Sequence, residues 1–232
     1  MKNDHEVFIL DSYEDAKTGK SYALNITVNV EKLTDKSMLY ESAQTTSWSA
    51  VKERVNNDRW YKSEHSPIRT QMFYIRLRNI PQFVHTHYVR HTVWNQPYVR
   101  TGREDRGKEG EQTRWSPNDM DMLVNAQTLI NMARKRLCNQ AHDVTVMVMD
   151  AIKDCVFNLD EDLANNMVRE CIYRCGYCPQ HRPCGFLNTG EAIKELRAWL
   201  GSEKSANKRT LLPLSMLYGV KPEQIKGGNL GQ

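Results

Sequence analysis

An α+β fold is predicted by three features of the chain: β-branched and apolar runs near its start, an alternating segment in its middle, and helical periodicity after that. Glu6 to Leu10 and Ser21 to Val30 have strand composition, and the turn-rich stretch Asp15-Ala16-Lys17-Thr18-Gly19-Lys20 lies between them. Thr46 to Asn56 has helical composition. In Met72 to Arg78 (MFYIRLR) apolar and basic side chains alternate over the second half, as in a half-buried strand. Proline is tolerated in a first helical turn, so Pro81 is expected to open a helix running through His91. Val99 to Trp115 has glycines and charges but no hydrophobic period, which predicts a mobile loop or lid. Ser116-Pro117-Asn118-Asp119 offers helix-start chemistry before a long periodic segment through Cys138, with Met122, Ala126, Leu129, Ala133 and Leu137 at helical spacing. A second helix is expected over Ala141 to Phe157 and an amphipathic one over Glu191 to Leu200. A polar segment then leads to Leu211-Leu212-Pro213-Leu214.

The chain has 232 residues, enough for one large domain with an appendage. The boundaries expected are a main domain over 1–168, a Cys-rich segment over 169–186 and a C-terminal extension over 187–232. Lysine and arginine number 32 against 28 acids, and the net charge of +4 is too small for wrapping duplex DNA but suits small phosphorylated ligands. The first fifteen residues lack the basic start and apolar core of a secretion signal, and no apolar run approaches the roughly 20 residues of a membrane span. A cytoplasmic protein without a membrane partner is expected. Its six cysteines then read as reduced thiols or metal ligands.

The chemistry-bearing stretch is Arg90-His91-Thr92 followed by Asn95-Gln96-Pro97-Tyr98-Val99-Arg100. A second block reads Asn125-Ala126-Gln127-Thr128-Leu129-Ile130-Asn131, then Arg136 and Gln140-Ala141-His142. Together with His65-Ser66-Pro67 and Pro81, and in the same order, these blocks resemble the flavin-dependent thymidylate synthases (ThyX family), whose signature is Arg-His-Arg, a spacer, then Asn-Glu-x-Ser-x-Arg-Tyr. The chain departs from that pattern at Thr92, Gln96, Tyr98 and Thr101, and its spacer is two residues shorter. Gln127 and Gln140 stand where an arginine and a histidine are expected.

The resemblance implies a mixed or antiparallel sheet with a long-helix bundle, in a homotetramer whose sites lie between subunits. It implies FAD as cofactor, a deoxyuridylate-type nucleotide as substrate, and methylenetetrahydrofolate and NADPH as co-substrates. Arg90, His91, Thr92, Asn125, Gln127 and Asn131 inherit flavin contacts, and His87, Arg90, Gln96, Arg100 and Arg136 inherit nucleotide contacts. Arg136, with Tyr98 at the family's serine position, belongs to the catalytic set; its charge would stabilise negative charge developing on the uracil ring. Planar guanidinium groups suit this work because they bind phosphates and carbonyls by paired hydrogen bonds. The family also carries an Arg-x-x-Leu-Pro-Leu element, which here has a counterpart at Arg209-Thr210-Leu211-Leu212-Pro213-Leu214. Arg209 is therefore a further candidate for the nucleotide phosphate.

Cys171, Cys175, Cys178 and Cys184 crowd together among turn-forming Gly176, Pro179, Pro183 and Gly185, a pattern that admits tetrahedral zinc or buried thiols. His85, His87 and His91 lack the glutamate of a zincin helix, so packing or nucleotide contacts are expected of them instead. The function expected is one-carbon transfer to C5 of a deoxyuridylate-type nucleotide. Alternatives are hydroxymethylation or a changed pyrimidine, given Tyr98 and Gln96, and a non-catalytic nucleotide binder or a zinc-knuckle protein that contacts nucleic acid.

Overall fold

The computed structural model of the chain describes residues 4–47, 57–106, 110 and 112–201. These fall into two compact units, divided between Arg169 and Glu170.

The first unit is built on a five-stranded sheet in the order β1-β2-β3-β5-β4, antiparallel throughout. β1 (Asp4–Asp15) and β2 (Lys20–Lys32) form a long hairpin whose turn ends on Gly19 at φ +65, a conformation glycine adopts without a Cβ penalty. β3 is Met72–Pro81, β4 is Asn95–Val99 and β5 is Pro117–Asn125. Alternation decides the faces. Leu24, Ile26, Val28 and Val30 of β2, Phe73, Ile75 and Leu77 of β3, and Met120, Met122 and Val124 of β5 point into one buried core.

Helices cover that face. α1 (Lys36–Ser47) and α2 (Asn57–Lys62) precede β3, and α3 (Gln82–Val89) follows it directly. After β5 come α4 (Ala126–Arg136), α5 (Asp143–Leu159) and α6 (Glu161–Asn166). α5 lies along β1 and β2 with Val144, Val148, Met149, Ile152, Cys155 and Val156 inward. Buried Asp160 caps α6 and accepts from Lys32 at 2.6 Å and from the Tyr61 hydroxyl at 2.9 Å, with Lys36 at 3.4 Å, so one carboxylate joins β2, α1, α2 and α6.

Three expectations need correction. Ser116 to Cys138 is not one helix: Pro117–Asn125 is a strand, and the helix starts at Ala126. Asn118, Met120, Met122 and Val124 alternate inward with a period of two, and the Asn125 side chain accepts from the Thr128 amide at 2.9 Å to begin the helix. The start expected at Thr46 instead falls at the end of α1, which already opens at Lys36, and residues 48–56 lie outside those described. The stretch expected as a mobile loop is held in part. Val99 ends β4, Glu104–Arg106 makes a 3-10 turn, and the Thr113 amide donates to the Ser116 hydroxyl at 2.9 Å.

Pro97 sits in β4 without breaking the sheet. The Arg100 amide donates to Asp119 at 2.9 Å, so the bonded positions of β4 are the even ones, and the Pro97 nitrogen faces the open edge.

The second unit opens with α7 (Glu170–Tyr173). α8 (Gly190–Leu200) matches the expected amphipathic helix: the Thr189 hydroxyl caps it, and Ala192 and Trp199 are its buried residues. Residues 202–232, including Arg209 and the Leu211 to Leu214 stretch, lie outside those described.

Candidate functional site

The two sequence blocks meet where α3 ends and α4 ends. α4 closes on Arg134, Lys135 and Arg136, cations suited to the negative end of a helix. Arg136 Nε donates to His91 Nε2 at 3.0 Å, and its Nη2 donates to the His87 carbonyl at 2.5 Å. Because His91 accepts at Nε2, its proton sits on Nδ1 and the ring is neutral. Burial, with the charges of Arg136 and Lys135, pushes the His91 pKa down to about 4. His87 bonds through Nδ1 to the Thr145 hydroxyl at 2.9 Å, and burial followed by Arg136 and Arg90 lowers its pKa as well.

Neither Arg136 nor Arg90 forms an ion pair with a described carboxylate, and Arg136 Nη1 has no partner among the described residues. A half-buried cation beside two neutral imidazoles and a second, exposed guanidinium makes a locally electropositive spot. Such a charge is costly to bury alone, which suits it to an anionic ligand.

The segment between the blocks is tied down by α4. The Thr128 hydroxyl donates to the Val93 carbonyl at 2.7 Å, and Asn95 Nδ2 donates to the Tyr88 carbonyl at 3.0 Å. Trp94 adopts φ +54 in this turn, and Val93 and Trp94 are exposed there. Thr92 is also exposed.

The remaining expected residues fall into other groups. Asn125 is fully buried and acts as the cap of α4; its Nδ2 has no partner among the described residues. Gln127 donates to Glu64 at 2.5 Å and to Asn131 at 3.5 Å, while Arg134 bonds Asn131 and pairs with Glu64. Glu64, at φ +51, escaped the sequence reading although it adjoins His65. Thr145 escaped it too, since a threonine in the first turn of a helix carries no local signal of a histidine partner.

Gln96, Tyr98 and Arg100 lie on the sheet face opposite the core. Tyr98 is paired in register with Asp121, which accepts from Arg78 at 2.6 Å and from Tyr74 at 3.1 Å. Tyr98 bonds Gln96 at 3.4 Å, and Arg100 bonds Asp119 at 3.3 Å. Arg78, Tyr98 and Arg100 line a shallow groove of about 350 Å³. Within one chain, then, Arg136, His91, His87 and Arg90 gather, while Tyr98, Gln96 and Arg100 stand apart from them.

None of the six cysteines is in a disulfide. Among the described residues no three His, Cys, Asp or Glu side chains are placed to hold a metal ion, so Cys171, Cys175, Cys178 and Cys184 are not gathered as a ligand set.

No protein-family model matches the chain, and no curated protein matches its sequence. Solved structures to which it is similar include Helicobacter pylori thymidylate synthase X with FAD and dUMP, at 12% identity and a TM-score of 0.48 over 58% of this chain and 98% of that one. A second structure of the H. pylori enzyme with FAD and dUMP gives 11% identity and a TM-score of 0.49 over 59% of this chain and 96% of that one. The UMP/dUMP methylase PolB from Streptomyces cacaoi, bound with 5-Br dUMP, gives 12% and 0.47 over 60% and 94%.

Proposed function

We propose that the chain is a nucleotide-modifying enzyme of the flavin-dependent thymidylate synthase type, acting at C5 of a deoxyuridylate-type pyrimidine. The observation that carries this reading is the 3.0 Å bond from Arg136 to His91, which joins the two sequence blocks through side chains 45 residues apart. The donor set fits an anionic ring or phosphate: two guanidinium groups without a described counter-ion, one of them with Nη1 unused.

In this reading Arg136 stabilises negative charge that develops on the pyrimidine ring, an interaction stronger in the transition state than in the ground state. His91, kept neutral, holds the Arg136 fork in place and presents an N–H at Nδ1. Arg90 and His87 take part in binding. Bound FAD would supply hydride, with NADPH regenerating its reduced form and methylenetetrahydrofolate giving the carbon unit. Gln96, Tyr98 and Arg100 would reach a site from a neighbouring subunit of a homotetramer.

The test is direct. Purified protein should be yellow or take up added FAD, and it should alter dUMP with methylenetetrahydrofolate, read by product mass. R136A should abolish turnover with folding intact; undiminished turnover would overturn the role given to Arg136. A second reading, nucleotide binding without flavin, is favoured by one contact: Gln127, an expected flavin residue, is held by Glu64. Colourless protein that takes up no FAD yet binds dUMP through Arg136 would select it.

A further inference from the structure

A second cleft, of about 700 Å³, opens beside the β1–β2 turn, and no residue of the Arg136–His91 group lines it. Its aromatic wall comes from three places in the sequence. Tyr13 and Tyr22 are register partners across the hairpin, and the Trp115 ring lies over both, 3.9 Å from Tyr22 at 11° and 5.4 Å from Tyr13 at 23°. Phe83 and His142 meet the same indole edge-on, at 5.1 and 5.5 Å. The rings are half-buried apart from Phe83, which is buried, so the wall is fixed in place but not sealed.

Its cationic rim comes from Lys17, Lys20 and Arg114, all exposed, none in an ion pair with a described carboxylate. Arg114 instead lies over the Phe83 ring at 4.5 Å. The two carboxylates at the cleft are turned to the chain's own donors: Asp15 accepts the Lys17 amide at 2.9 Å, and Asp143 accepts the Tyr13 hydroxyl at 3.4 Å. A flat aromatic wall, unpaired cations on one rim and room for a small molecule ask for a ligand that is planar at one end and anionic at the other.

We infer that this cleft is a second binding site, for a mononucleotide-type ligand whose heteroaromatic ring lies against the Tyr13–Trp115–Tyr22 group and whose phosphate meets Lys17, Lys20 and Arg114. Gln140, Ala141 and His142 of the second sequence block line this cleft, but Arg136, His91, His87 and Arg90 do not.

The experiment titrates the full chain with adenosine monophosphate by calorimetry, alongside adenosine and inorganic phosphate as its two halves. The nucleotide should bind about tenfold more tightly than either half, since stacking and charge act together. K17A/K20A, altering two exposed side chains, should weaken it about 5-fold per lysine removed. W115F should remove the ligand-induced quench of tryptophan fluorescence while calorimetric binding persists. R136A should leave the affinity within about twofold, which separates this site from the one proposed for catalysis. Unchanged affinity in K17A/K20A, loss of binding in R136A, or phosphate binding as well as the nucleotide would overturn the inference. So would oligodeoxyadenylate whose affinity climbs with length, which would assign the cleft to single-stranded nucleic acid.

Discussion

Removing the Arg136 guanidinium should release the proton affinity of His91. In the folded chain burial and the adjacent cation hold this imidazole at about 4 instead of its ordinary 6.5. That difference of about 2.5 units corresponds to about 3 kcal/mol between the two protonation states. Burial is the larger cause and Arg136 the next, so R136A relieves only part of it. As the smaller cause Arg136 accounts for less than half of that difference, and water entering the vacated space adds to the relief. The His91 midpoint should therefore rise by about one unit without reaching the value of a free imidazole.

The sign for stability follows. His91 is depressed in the fold, so its contribution is fully present above about pH 6.5 and is lost as pH falls toward about 4. With solvent screening at this half-buried position, that loss amounts to about 1–2 kcal/mol. The assay is a titration of the histidine Hε1 resonances by heteronuclear NMR in wild type and R136A, beside urea unfolding at pH 7 and pH 5. A wild-type His91 that titrates near 6.5, or a midpoint that R136A does not move, would refute the bond and the neutral tautomer together.

Other perturbations test the frame that holds this site. D160A should destabilise the fold by about 3–5 kcal/mol in chemical denaturation, because it strands Lys32 and the Tyr61 hydroxyl inside. Lys32, Lys36 and the Tyr61 hydroxyl keep Asp160 ionised below the usual carboxylate range although burial acts against it, so its contribution is present at neutral pH and disappears as pH falls through that depressed value. N125A should cost about 0.5–2 kcal/mol by uncapping α4, and circular dichroism melting would read it. Burial pushes the Cys155 thiol up to about 12, so this cysteine should resist a thiol reagent at pH 8 until the chain is denatured, while exposed Cys184 reacts at once.

What the sequence determined by itself was local. Period-two alternation marked Met72 to Arg78 as a strand, and amphipathic spacing marked Glu191 to Leu200 as a helix; both rest on contacts within a few residues. The same rules went astray at Pro117 to Asn125, where Met122 fits a helical period with Ala126 as well as a strand period with Met120 and Val124. There only pairing with β3 and β4 decides between them. The residues able to bind anions could be named from their types, since a guanidinium or imidazole has the same chemistry wherever it sits. Which of them act together could not. Arg136 and His91 meet because α3 and α4 end at the same corner of the sheet, whereas Gln96, Tyr98 and Arg100 share the face opposite the core because alternate side chains of a strand point to the same side of the sheet. Glu64 and Thr145 joined the picture only through distances that no pattern in the chain encodes.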